Sequence, residues 1–410
     1  MNIFMICPFF PPSKGPAADR IYSLASACSS KGIKVKVFTS RSHDTHLRPS
    51  LDNVDVIYDT QISSVVDHAT FSSSQIFTKF FSFIARFSFL NNFKMFDFLY
   101  SFTKYGRWAK NILPIIEYHL KINDYPEYVL ASYPDRSSIN LASFIHDKYS
   151  IKWCVDYRDL WSYNEYVKSF GFFNKLKKNK EYGLIKTADF FLFASTSIKI
   201  KFLQHFKISA DKCHSLYNGF DGSLLPSPIV LPSNPISFVH TGSLYNGIRD
   251  AEPFFKLLYY FPESIINFYV FTKSDASYIN RISPISLKNR IKIFVNSSRE
   301  ACLNAQKNAD FLLLIMSGTT LDASYPTAKL FEYIKSSRPI LSNAIKDSEV
   351  QTILYKTQTG LSLDDYLSNH IFILNRSESI SFYERSIQAK VFTDIILSNT
   401  SCQTHNQINS

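Results

Sequence analysis

The chain has 410 residues and a formal net charge of +11, and 16% of its residues are aromatic. This length favours two or three domains, because one domain usually takes about 100–200 residues. The positive charge favours anionic partners, but it is spread along the chain and no nucleic-acid-binding motif occurs. Six cysteines lie far apart without a C-x-x-C pair, which argues against a zinc site and predicts reduced, mostly buried thiols.

The N-terminal region reads as a strand at residues 2–7, a proline-rich loop with Gly15 and Arg20, a helix at 17–30 and a strand at 33–38. Gly15 would let the backbone approach a ligand closely; the alternative is a plain surface turn with a solvated Arg20. The start is not typical of a signal peptide, and no run of about 18 uncharged apolar residues occurs. We therefore expect a cytoplasmic protein, either free or held on the inner face of the membrane.

A basic and aromatic segment follows the next strand, which we predict at residues 54–58. Residues 71–105 combine many phenylalanines, among them Phe80, Phe81 and Phe87, with interleaved Lys and Arg. Such a composition is typical of an amphipathic helix that lies in a membrane interface. The alternative is a helical insertion that buries its aromatic side chains against the N-terminal domain.

The third part of the first half carries a charged loop at a strand end. Strands are predicted at 128–132 and 151–157, with a helix between them, and the second strand ends in Asp156-Tyr-Arg158-Asp159-Leu-Trp161. Loops at the carboxyl ends of parallel strands carry ligands, so this loop is a candidate site. The alternative is an Asp–Arg pair that stiffens the loop. A helix at 175–186, a strand at 190–194 and a helix at 196–206 follow.

Residues 218–235 separate the two halves, with an Asn-Gly turn followed by a proline-punctuated linker. A strand at 236–240 then leads into the turn Thr241-Gly242-Ser243-Leu-Tyr-Asn-Gly-Ile-Arg249-Asp. Further strands are predicted at 267–271, 290–295 and 311–315. A late loop is predicted near residue 360 and a last helix at 384–397. We expect the polar residues 398–410 to be disordered.

Residues 309–341 form the most informative stretch. The apolar run at 311–315 predicts a strand that is buried on both faces, and Pro326 opens a helix with Lys329, Glu332 and Ser336 on its polar side. Ligands of open α/β sheets lie at the carboxyl ends of strands, and phosphates favour helix N-termini. The alternative is a solvated ion pair of Lys329 with Glu332.

These motifs together resemble the family 4 glycosyltransferases, which are retaining enzymes with the GT-B fold. Pro326-Thr-Ala-Lys-Leu-Phe-Glu-Tyr is similar to the Pro-x-x-Lys-Leu-x-Glu-Tyr segment of a branch that builds bacterial surface polysaccharides. Many members of the family carry an additional Glu where this chain has Ser324. The same branch has the Gly and Arg of the first loop, a Ser-Tyr-Pro segment, an Asp-Phe-Arg-Asp-x-Trp loop, an Asn-Gly-x-Asp turn and the glycine turn with its Arg.

The resemblance implies two Rossmann-like domains that face a cleft, at residues 1–220 and 221–383, with a helix at 384–397 that crosses back to the first domain. It implies that Gly242, Ser243, Arg249 and Lys329 hold the donor diphosphate and that Glu332 holds the ribose hydroxyls. The acceptor side would be lined by the following residues: Gly15, Arg20, Asp156, Arg158, Asp159 and Trp161. Asp159 is the candidate for contact with the reacting sugar or the acceptor.

The implied reaction moves a sugar from a nucleotide diphosphate to an acceptor hydroxyl with retention of configuration and without a bound metal or other cofactor. A lipid-linked glycan acceptor would explain a membrane contact through residues 71–105. Three alternatives remain: a GT-B nucleotide-sugar epimerase, a non-catalytic GT-B scaffold, which Ser324 keeps open, and a basic RNA-binding protein.

Overall fold

The structure, a computed structural model, describes residues 1–41, 50–59, 104–122, 124–164, 171–225, 235–369 and 378–408. The basic and aromatic segment 71–105 lies outside them except for its last two residues, and so does most of the proline-punctuated linker. The chain divides into two compact units, formed by residues 1–156 with 184–189 and by residues 157–183 with 190–410.

The first sheet has seven strands in the order β3-β2-β1-β4-β5-β6-β7. The strands are β1 (Asn2–Ile6), β2 (Lys34–Thr39), β3 (Val54–Tyr58), β4 (Tyr128–Tyr133), β5 (Lys152–Tyr157), β6 (Phe190–Phe193) and β7 (Cys213–Ser215). The helices along this part of the chain are α1 (Pro16–Ser30), α2 (Lys104–Lys121), α3 (Arg136–Tyr149), α4 (Gly171–Ile185) and α5 (Thr196–His205). Strand β1 is parallel to both of its neighbours.

The second sheet has six parallel strands in the order β10-β9-β8-β11-β12-β13. The strands are β8 (Ser237–Thr241), β9 (Ile265–Val270), β10 (Ile291–Val295), β11 (Phe311–Leu314), β12 (Ile340–Ser342) and β13 (Gly360–Ser362). The helices are α6 (Lys256–Tyr260), α7 (Lys273–Ile282), α8 (Arg299–Asn308), α9 (Ala328–Ser336), α10 (Glu349–Thr357), α11 (Leu363–Asn369) and α12 (Arg385–Ile408).

Both sheets have the strand order of a Rossmann-like sheet. The second and third strands are added on one side of the first strand and the later strands on its other side, so the strand order reverses there. In the second sheet this switch point lies between β8 and β11, and ligands of such sheets bind beyond the carboxyl ends of the strands there. The residues of β11 alternate between two cores, with Phe311 and Leu313 in one and Leu312 and Leu314 in the other. The prediction that this strand is buried on both faces is confirmed.

The Asn-Gly turn packs against the start of α12. Gly219 has φ +63°, and a Cβ there would lie 2.6 Å from the carbonyl oxygen of Tyr383. Arg385 forms an ion pair with Asp221 and donates a hydrogen bond to the carbonyl oxygen of Asn218 at 2.9 Å. A glycine is therefore required at this turn by the close approach of the helix start.

Three sequence expectations differ from the structure. The last helix α12 continues to Ile408, because residues 398–408 contain no proline or glycine that would stop it. The late loop near Gly360 forms β13 and α11, and its three-residue strand is too short to show an alternating pattern. Ser336 is buried and donates to the carbonyl oxygen of Tyr333, so it does not belong to a solvated face. The predicted strands are present with their ends shifted by at most two residues, and the five described cysteines are buried as predicted.

Candidate functional site

The glycine turn leaves β8 at the switch point of the second sheet. Gly242 has φ +117°, and Tyr245 and Asn246 both have positive φ, which is uncommon for residues with a Cβ. Several amides of the turn bond within the protein: Gly242 N donates to the carbonyl oxygen of Tyr269 at 2.7 Å, and Arg249 N donates to that of Leu244 at 3.1 Å. These bonds fix the shape of the turn from within the protein.

Asp275, in the first turn of α7, holds the glycine turn in place. Its carboxylate accepts hydrogen bonds from Ser243 Oγ at 2.8 Å and from Asn246 N at 2.9 Å. Burial alone would raise the pKa of Asp275, but these bonds stabilise the charged form and the net pKa is lowered. The sequence reading did not single out Asp275, because an acidic residue at a helix start is a common feature.

Lys329, near the start of α9, lies directly over the glycine turn. Its Nζ donates to the carbonyl oxygen of Ser243 at 3.0 Å, and a Cβ on Gly242 would lie only 2.1 Å from Lys329 Cε. Burial lowers the pKa of Lys329 well below the ordinary lysine value, and the charge of Arg249 lowers it further. The glycine is therefore needed where the sequence suggested it, but the reason is close packing of a lysine.

Arg249 is the second basic residue of this site. It is largely buried, and its guanidinium lies 4.8 Å from the centre of the Tyr245 ring, which is a cation–π distance. Its Nε has no hydrogen-bond partner among the described residues, and no ion pair of that part of the chain includes Arg249 or Lys329. Two basic side chains thus contact one turn without an ion pair among the described residues, an arrangement that suits an anion.

Glu332, one turn after Lys329 on α9, is held by two side chains of α8. Its Oε1 accepts from Gln306 Nε2 at 2.5 Å, and its Oε2 forms an ion pair with Arg299 at 3.1 Å. Gln306 also donates to Thr241 Oγ1 at 2.8 Å, which links Glu332 to the end of β8. The alternative of a solvated Lys329–Glu332 pair is wrong, because the cationic partner of Glu332 is Arg299.

His240 is a further polar residue at the end of β8, and it was not predicted from the sequence. The side chain is fully buried on β8, and its Nδ1 donates to the carbonyl oxygen of Leu313 at 2.9 Å. Its Nε2 has no partner among the described residues. Burial lowers the pKa of His240 well below the ordinary histidine value, and the charge of Lys329 acts in the same direction. A histidine that follows the apolar pair Phe238-Val239 and comes directly before the glycine turn was the available signal.

The loop after β11 completes the carboxyl edge at the switch point. Asp322 is buried and accepts hydrogen bonds from the amide and hydroxyl of Ser317, at 2.8 and 2.6 Å. Ser324, which stands at the place of the family's first Glu, is also buried, and its carbonyl oxygen accepts from Ser195 Oγ at 2.7 Å. A short side chain at position 324 thus fits a closely packed loop.

Two of the residues predicted for the acceptor side form a buried ion pair within the first unit. Arg20 contacts Asp156 through Nε at 3.0 Å and through a terminal nitrogen at 2.7 Å, and both side chains are buried. Ser132 donates a third hydrogen bond to Asp156 at 3.1 Å. The alternative of a solvated Arg20 is wrong. Gly15 has φ +112°, and no atom of the described residues lies within 4 Å of the position of a Cβ there.

The charged loop after β5 is held by Glu181 of α4. Glu181 is buried and accepts from Tyr157 OH at 2.7 Å and from Ser162 N at 2.9 Å. In the same loop, burial raises the pKa of Asp159, with an opposing effect of the Arg158 charge. Trp161 is buried. The role of Glu181 was not predicted from the sequence. Glu181 stiffens the loop, which is the role that the alternative interpretation gave to an Asp–Arg pair.

Among the described residues, no group of three or more His, Cys, Asp or Glu side chains is arranged to hold a metal ion. In the same part of the chain, no helix combines the length and the apolar character that crossing a membrane requires.

No protein-family model matches this chain, and no curated protein sequence does. Solved structures match over nearly the full length. A glycosyltransferase from Rickettsia africae is 14% identical with a TM-score of 0.56, covering 96% of this chain and 97% of its own. Anabaena Alr3699/HepE in complex with UDP and glucose is 12% identical with a TM-score of 0.54, covering 99% and 100%. The UDP-GlcNAc 2-epimerase of Neisseria meningitidis is 13% identical with a TM-score of 0.51, covering 97% and 100%.

These likenesses and the two sheets define an α/β protein built from two Rossmann-like parallel sheets. More particularly, the chain has the GT-B fold, as the family resemblance of its motifs implied.

Proposed function

We propose that this chain is a glycosyltransferase that moves a sugar from a nucleotide-diphosphate donor to an acceptor hydroxyl with retention of configuration. The observation that carries the proposal is the pair Arg249 and Lys329 at the switch point of the second sheet, two basic side chains without a paired carboxylate among the described residues. A nucleotide diphosphate offers the negative charge that this pair lacks. The likeness to glycosyltransferases and to proteins that bind UDP supports the same class of ligand.

In this proposal Arg249 and Lys329 stabilise the leaving diphosphate, whose charge grows as the sugar bond breaks. The side chains carry more of this task than the turn amides, because the amides of Gly242, Asn246 and Arg249 are already bonded within the protein. Glu332 holds the ribose hydroxyls, and Asp159 contacts the reacting sugar or the acceptor. The reaction proceeds without a bound metal.

The proposed acceptor is a lipid-linked glycan of surface polysaccharide synthesis, reached at the inner face of the cytoplasmic membrane. The basic and aromatic segment 71–105 supports this part of the proposal by its composition. It predicts that the protein sediments with anionic vesicles and that salt weakens the binding. Replacement of Phe80, Phe81 and Phe87 by Ser should release the folded protein. Equal sedimentation of variant and wild type contradicts the membrane contact.

A second candidate is a nucleotide-sugar epimerase, because a UDP-GlcNAc 2-epimerase shares the fold over the same length. The deciding experiment first finds the donor by thermal stabilisation with a panel of nucleotide sugars. Release of nucleoside diphosphate is then measured with and without a mixture of glycan acceptors, while NMR follows the sugar configuration. Acceptor-dependent release with retention supports the transferase. Release or inversion of the free donor without acceptor supports the epimerase, and donor binding without turnover supports a scaffold.

A further inference from the structure

Gln306, a residue of α8, lies between the end of β8 and the carboxylate of Glu332. The residue is only 1% exposed. Its Nε2 donates to Glu332 Oε1 at 2.5 Å and to Thr241 Oγ1 at 2.8 Å. An ionised carboxylate only accepts hydrogen bonds, so the amide must turn its NH2 group toward Glu332. Both hydrogens of that NH2 group are therefore engaged, one on the carboxylate and one on the end of the strand.

Arg299, the second partner of Glu332, holds the carboxylate less firmly. It stands on α8 about two helical turns before Gln306, and therefore on the same side of that helix. Its guanidinium pairs with Glu332 Oε2 at 3.1 Å, but the Arg299 side chain is 75% exposed. Ion pairs that are open to solvent contribute little, because water competes for both charges. The buried amide of Gln306 is therefore the main restraint on the orientation of the carboxylate.

The Glu332 carboxylate keeps hydrogen-bonding capacity for a ligand. An ionised carboxylate has about four acceptor sites, two on each oxygen. Gln306 occupies one site on Oε1 and Arg299 occupies one on Oε2, so within the described part of the chain each oxygen keeps one site open. The Glu332 side chain is 26% exposed, which leaves it accessible. Two open acceptors on one carboxylate match the two neighbouring hydroxyl groups of a ribose, whereas a 2′-deoxyribose supplies only one hydroxyl.

We infer that Gln306 is a positioning residue of the donor site, which orients the Glu332 carboxylate toward both ribose hydroxyls. The inference rests on the proposed function, in which Glu332 holds the ribose. The same amide is bonded to Thr241, directly before Gly242, so it also fixes the carboxylate relative to the glycine turn. The site should therefore select a ribonucleoside diphosphate over its 2′-deoxy counterpart, and this selectivity should require Gln306.

The test is isothermal titration calorimetry with UDP and with 2′-deoxyuridine diphosphate. The wild type should bind UDP about tenfold or more tightly, because one hydrogen bond to a charged carboxylate separates the two ligands. A ratio of the two affinities near one overturns the inference. GDP, ADP, their 2′-deoxy forms and inorganic diphosphate are titrated in parallel. Binding of inorganic diphosphate alone also overturns the inference, whereas failure of all these ligands to bind refutes the proposed function itself.

Gln306→Met separates positioning from a general structural role, because methionine is similar in size but has no N–H donor. UDP should lose more affinity than the deoxy ligand, since it loses one more hydrogen bond, and the ratio should approach one. An equal loss for both ligands shows a structural role only and overturns the inference. Gln351→Met is the matched control. Gln351 lies on α10 and donates to the carbonyl oxygen of Ala344 at 3.2 Å, so its replacement should leave the ratio at the wild-type value.

Two further variants complete the test. Glu332→Ala removes the carboxylate, so the addition of Gln306→Met to it should leave the ratio unchanged, and a further change in the double variant would show that Gln306 does not act through Glu332. If Gln306→Met does not fold by circular dichroism, Thr241→Val replaces it. Valine keeps the shape of threonine but lacks the hydroxyl that anchors the Gln306 amide. The ratio should then decrease, and an unchanged ratio counts against the inference.

Discussion

Replacement of Gly242 by alanine tests the contact between the glycine turn and Lys329. The new Cβ would lie 2.1 Å from Lys329 Cε and 2.4 Å from Nζ, so the lysine must leave its position. Backbone strain at φ +117° adds about 1–3 kcal/mol to the loss of folding stability. Loss of one charge-assisted hydrogen bond to the donor diphosphate should weaken its binding by about 1.5–3 kcal/mol, which is roughly 10- to 150-fold.

The matched control is Gly32→Ala. Gly32 also has positive φ, +70°, but in the part of the chain that the structure describes no atom lies within 4 Å of its Cβ position. This variant should lose about 1–2 kcal/mol of stability from strain alone and bind the donor diphosphate normally. Urea unfolding gives the stabilities, and calorimetry with the nucleoside diphosphate gives the affinities. A folded Gly242→Ala with wild-type affinity would refute the assignment of Lys329 to the diphosphate, and so would an equal loss of affinity in Gly32→Ala.

Three further predictions concern single side chains of the donor site and the charged loop. Glu332→Ala should weaken binding of the nucleoside diphosphate by about 1.5–3 kcal/mol in calorimetry, whereas an unchanged affinity would show that the ribose lies elsewhere. Arg249→Ala should lower kcat more than it weakens ground-state donor binding. Arg249→Lys should recover only part of the rate, because lysine lacks the planar fork of hydrogen-bond donors. Near-normal turnover of the alanine variant in steady-state kinetics contradicts both expectations. Asp159→Asn should be more stable than wild type at about pH 7 in urea unfolding. The pKa of Asp159 is raised in the folded protein, so the wild type loses stability as pH rises through that pKa. The difference in stability should vanish below about pH 3.9, where the carboxyl is protonated in both states. A less stable Asp159→Asn at neutral pH would show that the charged carboxylate is favourable in the fold.

The strands of the second sheet follow directly from the sequence. The apolar run of β11 is too short for a buried helix and lacks the alternation of a half-exposed strand, so a strand buried on both faces was the consistent interpretation. Parallel strands bring their carboxyl ends to one edge, which allowed us to predict that Arg249 and Lys329 converge although 80 residues separate them along the chain. Both residues contact the same turn, since Lys329 Nζ donates to the carbonyl oxygen of Ser243 and Arg249 N donates to that of Leu244.

The groups that position these cations were not predictable, because their contacts join distant parts of the chain. Asp275 reaches Ser243 across 32 residues, and Gln306 reaches Thr241 across 65. In the sequence each looks like an ordinary polar residue of a helix. Their roles depend on the packing of α7 and α8 beside the end of β8, which no local pattern specifies.

The internal bonding of the glycine turn has a consequence for the thermodynamics of ligand binding. Asp275 orders the turn during folding, so a ligand meets a surface that is already in its final conformation and does not lose backbone entropy on binding. Without the Asp275 carboxylate, the same ligand would have to order residues 243–246 as it binds. The ordering cost would then move from the folding reaction to the association reaction, where it would appear as a less favourable binding entropy and a slower approach to the bound state.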